Sequence, residues 1–323
     1  MMTKSWQRLI PVLLIALPVQ ASDWQLKYLP WGAPDLQGAW TTATVSLLER
    51  PSEYENLVLT EAQTIEVERG TEAMLEEIDQ LEEGDLGSGS DVGGYNAAWL
   101  DPGSRVVRVN GAPHSSIIVS PDDGQVPYTF TSRLRKYWNM YKLWQRDNPE
   151  EQDLGVRCMV GFGSSGGPPM LPVLYNNNYQ FVQSPGQVLI LVEMNHNIRT
   201  IRIDGTPLPA SIRPWLGDSI GHWEGPTLVV RTTQFHRQQN MRMAIKHQFM
   251  MSPDSVVVER FTRVGEKEIQ YEFTVEDEEI YTSVWRGQLP MYATQGPIYE
   301  YACHEGNYSI SNILSGARTE ERE

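Results

Sequence analysis

From Tyr179 onward, the chain consists of short runs in which apolar and polar residues alternate, separated by turn residues. Alternation with a period of two is typical of β-strands that bury one face. Because long helices do not intervene, the pattern predicts an antiparallel lipocalin-like barrel or sandwich. The runs expected to form strands are residues 179–183, 188–192, 199–203, 227–232, 255–263, 268–275 and 281–288.

The first half of the chain has a mixed pattern. Thr60-Glu61-Ala62-Gln63 matches a helix capping box, and the acidic stretch after it predicts one or two helices, interrupted at Gly70. Residues 131–147 also have helical spacing. An apolar stripe on this second helix is expected to pack in the core: Leu134, Trp138 and Tyr141, with Trp144 as a further candidate member.

The first 21 residues have the features of a secretory signal peptide. Two basic residues precede a short apolar core, residues 9–16, and small residues lead to a cleavage position near Ala21. That core is too short for a membrane span, which needs about 20 residues. We expect a periplasmic or secreted, mainly β protein. Its N-terminal mixed region, residues 22–153, carries two or three helices and packs on an antiparallel β domain, residues 154–323.

The net charge of −15 narrows the range of partners. An acidic surface repels nucleic acid and anionic lipid, so we expect neither nucleic acid binding nor membrane insertion. A small-molecule ligand or substrate is the expected partner, and the oligomeric state is left open. No cofactor is predicted.

The only cysteines are Cys158 and Cys303. In an oxidising compartment such a pair is most simply a disulfide, which would tie the last segment to the middle of the chain. The alternative is a thiol nucleophile at Cys303, which directly precedes His304.

Three short clusters place a histidine beside a carboxylate or an amide: residues 193–197, 221–225 and 303–307. They lie at expected strand ends, where loops can meet around a site. The candidate acid–base residues are His196, His222, Glu224, His304 and Glu305.

On a strand, His222 and Glu224 would share one face and Trp223 would point the other way. Such a pair suits proton transfer, or a Zn²⁺ or Ca²⁺ site if a third ligand joins it, although the metal is left unknown. The same residues could instead form a hairpin turn packed by its tryptophan.

Amides and aromatic side chains near these clusters could bind a polar or aromatic ligand. For residues 175–178 a structured turn is the competing explanation. The candidate ligand-binding residues are Tyr95, Asn96, Tyr175, Asn176, Asn177, Asn178, Glu193, Asn195, Trp223 and Asn307.

Two motifs carry a resemblance. Gly217-Asp218-Ser219-Ile220-Gly221-His222-Trp223-Glu224-Gly225 and Tyr301-Ala302-Cys303-His304-Glu305-Gly306-Asn307-Tyr308 are similar to those of an uncharacterised family of exported bacterial proteins. The resemblance implies membership and export, and it implies no activity.

The first functional hypothesis is therefore an exported barrel that binds a small, partly apolar ligand in a cavity lined by His, Glu, Asn and aromatic residues. The alternative is a lyase, isomerase or hydrolase that uses a His/Glu acid–base or metal site in the same cavity. The enzyme hypothesis requires at least two of the histidines His196, His222 and His304 to lie together around that cavity.

Overall fold

The computed structural model describes residues 24–84, 100–141, 147–305 and 307–322. The expected signal peptide, the candidate ligand-binding residues Tyr95 and Asn96, and the candidate stripe residue Trp144 lie outside these ranges. Among the described residues, no helix is both long enough and apolar enough to cross a membrane.

The described residues form fourteen strands and three α-helices. The helices are α1 (Glu61–Gly84), α2 (Phe130–Tyr141) and α3 (Ser309–Glu320). The strands are β1 (Gly38–Thr41), β2 (Arg108–Val109), β3 (Ala112–Pro113), β4 (Ile118–Ser120), β5 (Asn178–Ser184), β6 (Gln187–Val192), β7 (Ile198–Ile203), β8 (Asp218–Glu224), β9 (Thr227–Thr233), β10 (Met241–Ala244), β11 (His247–Met250), β12 (Val256–Gly265), β13 (Glu268–Glu276) and β14 (Trp285–Ala293).

Nine of these strands close into a barrel in the order β1-β5-β6-β7-β8-β9-β12-β13-β14, and β14 pairs back with β1. The predicted mainly β class is confirmed. One pair differs from the antiparallel expectation, because β7 and β8 run parallel. Parallel neighbours need a connection that returns the chain to the same end of the sheet, and the proline-rich residues 204–217 make it.

The N-terminal region contributes a strand to the barrel itself. In β1, Trp40 pairs with Tyr179 of β5 on one side and with Ala293 of β14 on the other. The barrel therefore closes through a segment that lies far from its neighbours in sequence. The boundary between residues 153 and 154 stays a prediction.

Aromatic side chains fill the interior of the barrel. Phe261 stacks on Tyr271 with ring centroids 4.8 Å apart, and Phe273 meets Trp285 edge-on at 5.6 Å. Gly287 makes room for this cluster, because a Cβ there would lie 2.2 Å from Phe273. The centre of the barrel is thus a packed core and not the open ligand chamber of a lipocalin-like barrel.

The helices depart from expectation in two ways. The Thr60–Gln63 capping box is confirmed, but α1 continues through Gly70 without interruption. The burial expected for the α2 stripe is wrong. The helix packs on the barrel through its opposite side, around Ser132, so the stripe faces solvent.

Candidate functional site

The predicted disulfide between Cys158 and Cys303 is confirmed. It joins the C-terminal segment to the loop of residues 154–160, which contacts the turn between β6 and β7. Asn307 donates to the carbonyl of Val156 (3.0 Å), and Asn195 donates to the carbonyl of Cys158 (3.4 Å).

This turn carries the first candidate cluster. Asn195 and His196 both have left-handed backbone conformations, with φ of 60° and 49°. The buried Glu193 accepts hydrogen bonds from Asn178 Nδ2 (2.7 Å) and from the backbone N–H of Tyr299 (3.0 Å). The carboxylate therefore fastens the C-terminal segment to the barrel.

His196 itself is half-exposed, and its Nε2 lies 3.9 Å from Glu300 Oε1. Tyr175 stacks on Tyr301 at 6.3 Å. His304 and Glu305 are exposed on the same C-terminal segment. The structure thus gathers several candidate residues at one end of the barrel, and they are Tyr175, Asn178, Glu193, Asn195, His196, His304, Glu305 and Asn307.

The asparagines before β5 form a structured turn. Asn177 is fully buried, accepts from the N–H of Val173 and donates to the carbonyls of Val173 and Asp101. Asn176 has a left-handed φ of 54°. These contacts explain both residues as turn formers, which was the competing explanation.

The second cluster lies elsewhere. His222 Nε2 is 3.1 Å from Glu224 Oε1, so the expected shared face is confirmed, and Trp223 packs toward the core. Both side chains of the pair are exposed. Two hydrogen bonds lower the pKa of Glu224: the one from Arg260 (2.9 Å) has the larger effect and the one from His222 the smaller.

The register of the parallel pair sets the distance between the clusters. Ile203 pairs with Gly221, so His222 lies beyond the end of β7, while His196 lies before its start. The length of β7 separates them by about 20 Å. The enzyme hypothesis then depends on His196 and His304 alone. Within the described ranges, no three His, Cys, Asp or Glu side chains group closely enough to hold a metal ion.

A pocket opens in the barrel wall beside the first cluster. The pairing of β7 with β8 begins only at Ile201, and before that point residues 214–217 pass alongside β7 without strand pairing. The gap forms a pocket of about 400 Å³. It is lined by Met159, Asn197, Ile198, Arg199, Thr200, Arg202, Leu208, Pro214, Trp215, Leu216, Gly217, Asp218 and Ser219.

One lining residue, Arg199, is buried in the barrel. Its two terminal nitrogens bond both carboxylate oxygens of Glu259, at 3.1 and 2.5 Å, and Tyr271 donates to Glu259 at 2.7 Å. Because β8 and β9 separate β7 from β12, this ion pair bridges the interior. Burial alone would lower the pKa of Arg199, but Glu259 raises it above its usual value.

The third nitrogen of this guanidinium, Nε, is not used in the ion pair. Among the described residues, Arg199 Nε has no hydrogen-bond partner although it is buried. Nearer the surface, Arg202 bonds both carboxylate oxygens of Asp218, at 2.7 and 2.9 Å. Trp215 provides an aromatic surface and lies against His236, with ring centroids 3.8 Å apart. The pocket lining therefore combines an aromatic ring with two guanidinium groups that are each paired with a carboxylate.

A second buried polar group lies between the loop of residues 161–173 and the β10–β11 hairpin. Arg242 donates to Ser164 Oγ (2.8 Å) and to the carbonyl of Pro168 (2.7 Å), and burial lowers its pKa to about 9. His247 Nε2 accepts from the N–H of Ser164, and its Nδ1 lies 3.2 Å from the carbonyl of Pro172. Both contacts suit a neutral imidazole with its proton on Nδ1.

The sequence motifs did not indicate Arg199 or Glu259 as site residues, although the alternation of each strand could have done so. Arg199 alternates in phase with the inward-facing Ile201, and Glu259 alternates in phase with Val257 and Phe261. Two opposite charges on inward faces indicate a buried ion pair.

These features define the protein as a closed, nine-stranded mixed β-barrel with a packed interior and a pocket in its wall. Scans of protein-family models, curated proteins and solved structures found no match to the chain. Membership of the uncharacterised exported family stays a prediction.

Proposed function

We propose that this barrel binds a small, partly apolar ligand in the pocket between β7 and residues 214–219. The observation that supports the proposal most strongly is the position of Arg199: this buried residue lines the pocket, and its Nε has no hydrogen-bond partner among the described residues. Buried donors are rarely left without a partner. Nε is itself closed off from solvent, so a ligand acceptor would reach and satisfy it once the pocket lining shifts on binding. The pocket volume of about 400 Å³ is typical of small-molecule sites.

The charges around the pocket narrow the ligand class. Glu259 neutralises Arg199, and Asp218 neutralises Arg202. Neither guanidinium of the pocket lining therefore carries excess positive charge, which favours a carbonyl or hydroxyl oxygen of the ligand over an anion. Trp215 and Leu216 would contact the apolar body of the ligand. Of the clusters proposed from the sequence, only the turn before β7 borders this pocket, through Asn197.

A matched pair of probes tests the proposal. 2-Acetylnaphthalene and 2-ethylnaphthalene have similar shapes, but only the first carries an acceptor. A hydrogen bond to a charged donor contributes about 1.5–3 kcal/mol, so we expect the ketone to bind about tenfold more tightly in ligand-observed NMR titrations.

A pocket variant supplies the control. Thr200→Trp places an indole in the pocket from an exposed position and should abolish binding of the ketone. Thr274→Trp, on the outer face of β13, makes the same change away from the pocket and should leave binding intact. Equal affinity for both probes, or unchanged binding to Thr200→Trp, would refute the proposal.

A further inference from the structure

The outer face of α2 is apolar along its whole length. Its members lie between 54% and 77% exposed, and they are Phe130, Leu134, Tyr137, Trp138 and Tyr141. At 3.6 residues per turn they occupy about 100° of the helix circumference, opposite the side that contains the buried Ser132. We call this set the α2 face.

The charge of α2 is opposite in sign to that of the chain. The helix carries three basic residues and no acidic one, whereas the chain has a net charge of −15. Lys136 is held near the barrel, 3.9 Å from Glu49 and over the ring of Tyr128. Arg133 and Arg135 are exposed and lie on either side of the α2 face, at about 40° and 60° from its edges.

We propose that the α2 face docks this protein on a membrane surface that contains anionic lipid. An apolar helix face with basic flanks lies in the lipid interface, with its apolar residues at the boundary between headgroups and acyl chains. Tryptophan and tyrosine favour that boundary because their rings are apolar and their polar atoms stay hydrated. Three of the five members of the face are Trp or Tyr.

The positive charges of Arg133 and Arg135 beside the α2 face favour binding to the negatively charged phosphates of lipids. In the described structure Arg133 forms no ion pair, and Arg135 meets only the exposed Glu279, at 3.2 Å. The acidic remainder of the chain does not prevent contact, because salt screens exposed charges beyond about 10 Å. The expectation drawn from net charge alone therefore does not apply to this helix.

Vesicle sedimentation tests the proposal with the full chain. The probes are vesicles of phosphatidylcholine alone and vesicles in which one fifth of the lipid is phosphatidylglycerol. We expect tighter binding to the second, weakening with added salt. Leu134→Gln with Trp138→Gln keeps good helix formers and removes two apolar side chains, so binding should fall about tenfold or more.

Two further variants make the result specific. Ile245→Gln with Val264→Gln removes exposed apolar side chains outside α2 and should bind as the unaltered protein does. Arg133→Gln should weaken binding to the anionic vesicles about fivefold and leave binding to the neutral vesicles unchanged. Thermal unfolding of each variant verifies that it is folded.

The proposal is overturned if the unaltered protein does not sediment with the anionic vesicles. It is also overturned if the α2 double variant binds as strongly as its control. Concentration-dependent dimerisation through the same face, without lipid binding, would assign the face to a second copy of the chain and would overturn it as well.

Discussion

Replacing Glu259 with glutamine tests the central electrostatic feature of the barrel. The change preserves the shape of the side chain but removes the charge that compensates Arg199, and both side chains are buried. It also puts an amide N–H₂ group where the carboxylate now accepts hydrogen bonds from Arg199 and Tyr271. At least one donor then faces another donor inside the core.

The expected loss of stability is large. Removing one partner of a buried ion pair costs about 3–5 kcal/mol, because the remaining charge is left without compensation. Domains are stable by only about 5–15 kcal/mol, so this one substitution would consume a large part of the total. Replacing both partners, as in Arg199→Met with Glu259→Leu, removes the charges together and should restore most of the stability.

Urea unfolding followed by tryptophan fluorescence measures these free energies. Glu276→Gln makes the same chemical change at the exposed end of β13 and should shift the free energy of unfolding by less than about 0.5 kcal/mol. The reasoning is refuted if Glu259→Gln costs under about 1 kcal/mol, or if the double variant is no more stable than the single one.

Three other outcomes are expected. The double variant Cys158→Ala with Cys303→Ala removes a disulfide that spans 145 residues. It should lower the free energy of unfolding by up to about 5 kcal/mol and expose the C-terminal segment to protease. An unchanged urea midpoint would contradict this expectation. Gly287→Ala should destabilise the barrel by about 1–3 kcal/mol or more, because the new methyl group clashes with the core. In α3 nothing crowds a methyl group at Gly316, so Gly316→Ala should be neutral or stabilising by up to about 1 kcal/mol. Burial lowers the pKa of His247 from 6.5 to about 3, so between these pH values the unfolded chain takes up a proton that the folded chain does not. The free energy of unfolding should therefore fall by about 1.4 kcal/mol per pH unit as pH drops from about 6.5 to about 3. In acid titrations, His247→Gln should flatten that dependence.

Local patterns predicted most of the strands because each depends on its own alternation. The run at residues 188–192 became β6, and the run at residues 268–275 became β13, within one residue at each end. The last strand begins four residues later than expected, at Trp285, because Tyr281 forms only an isolated bridge with Tyr128.

The order of the strands was not predictable in the same way. The parallel pairing of β7 with β8 depends on the path of residues 204–217, which has no alternation to follow. The closing strand β1 is only four residues long and pairs with strands far along the chain. Neither feature leaves a local signature.

The α2 stripe shows a different limit. Helical spacing correctly indicated that Leu134, Trp138 and Tyr141 share a face, but periodicity does not say which face meets the barrel. Local sequence patterns were also insufficient to locate the pocket. The histidine motifs marked strand ends, whereas the pocket depends on where β7 lacks a partner, which only the assembled sheet reveals.

The seam at β1 has a consequence for synthesis. Trp40 is synthesised more than 250 residues before its partner Ala293. Until β14 has been made, β1 lacks a partner on the side away from β5, and β13 lacks one on the side away from β12; such open edges are templates for pairing with other chains. The ring can therefore form only after residue 293 has been synthesised, and nascent or truncated chains that end before it should aggregate.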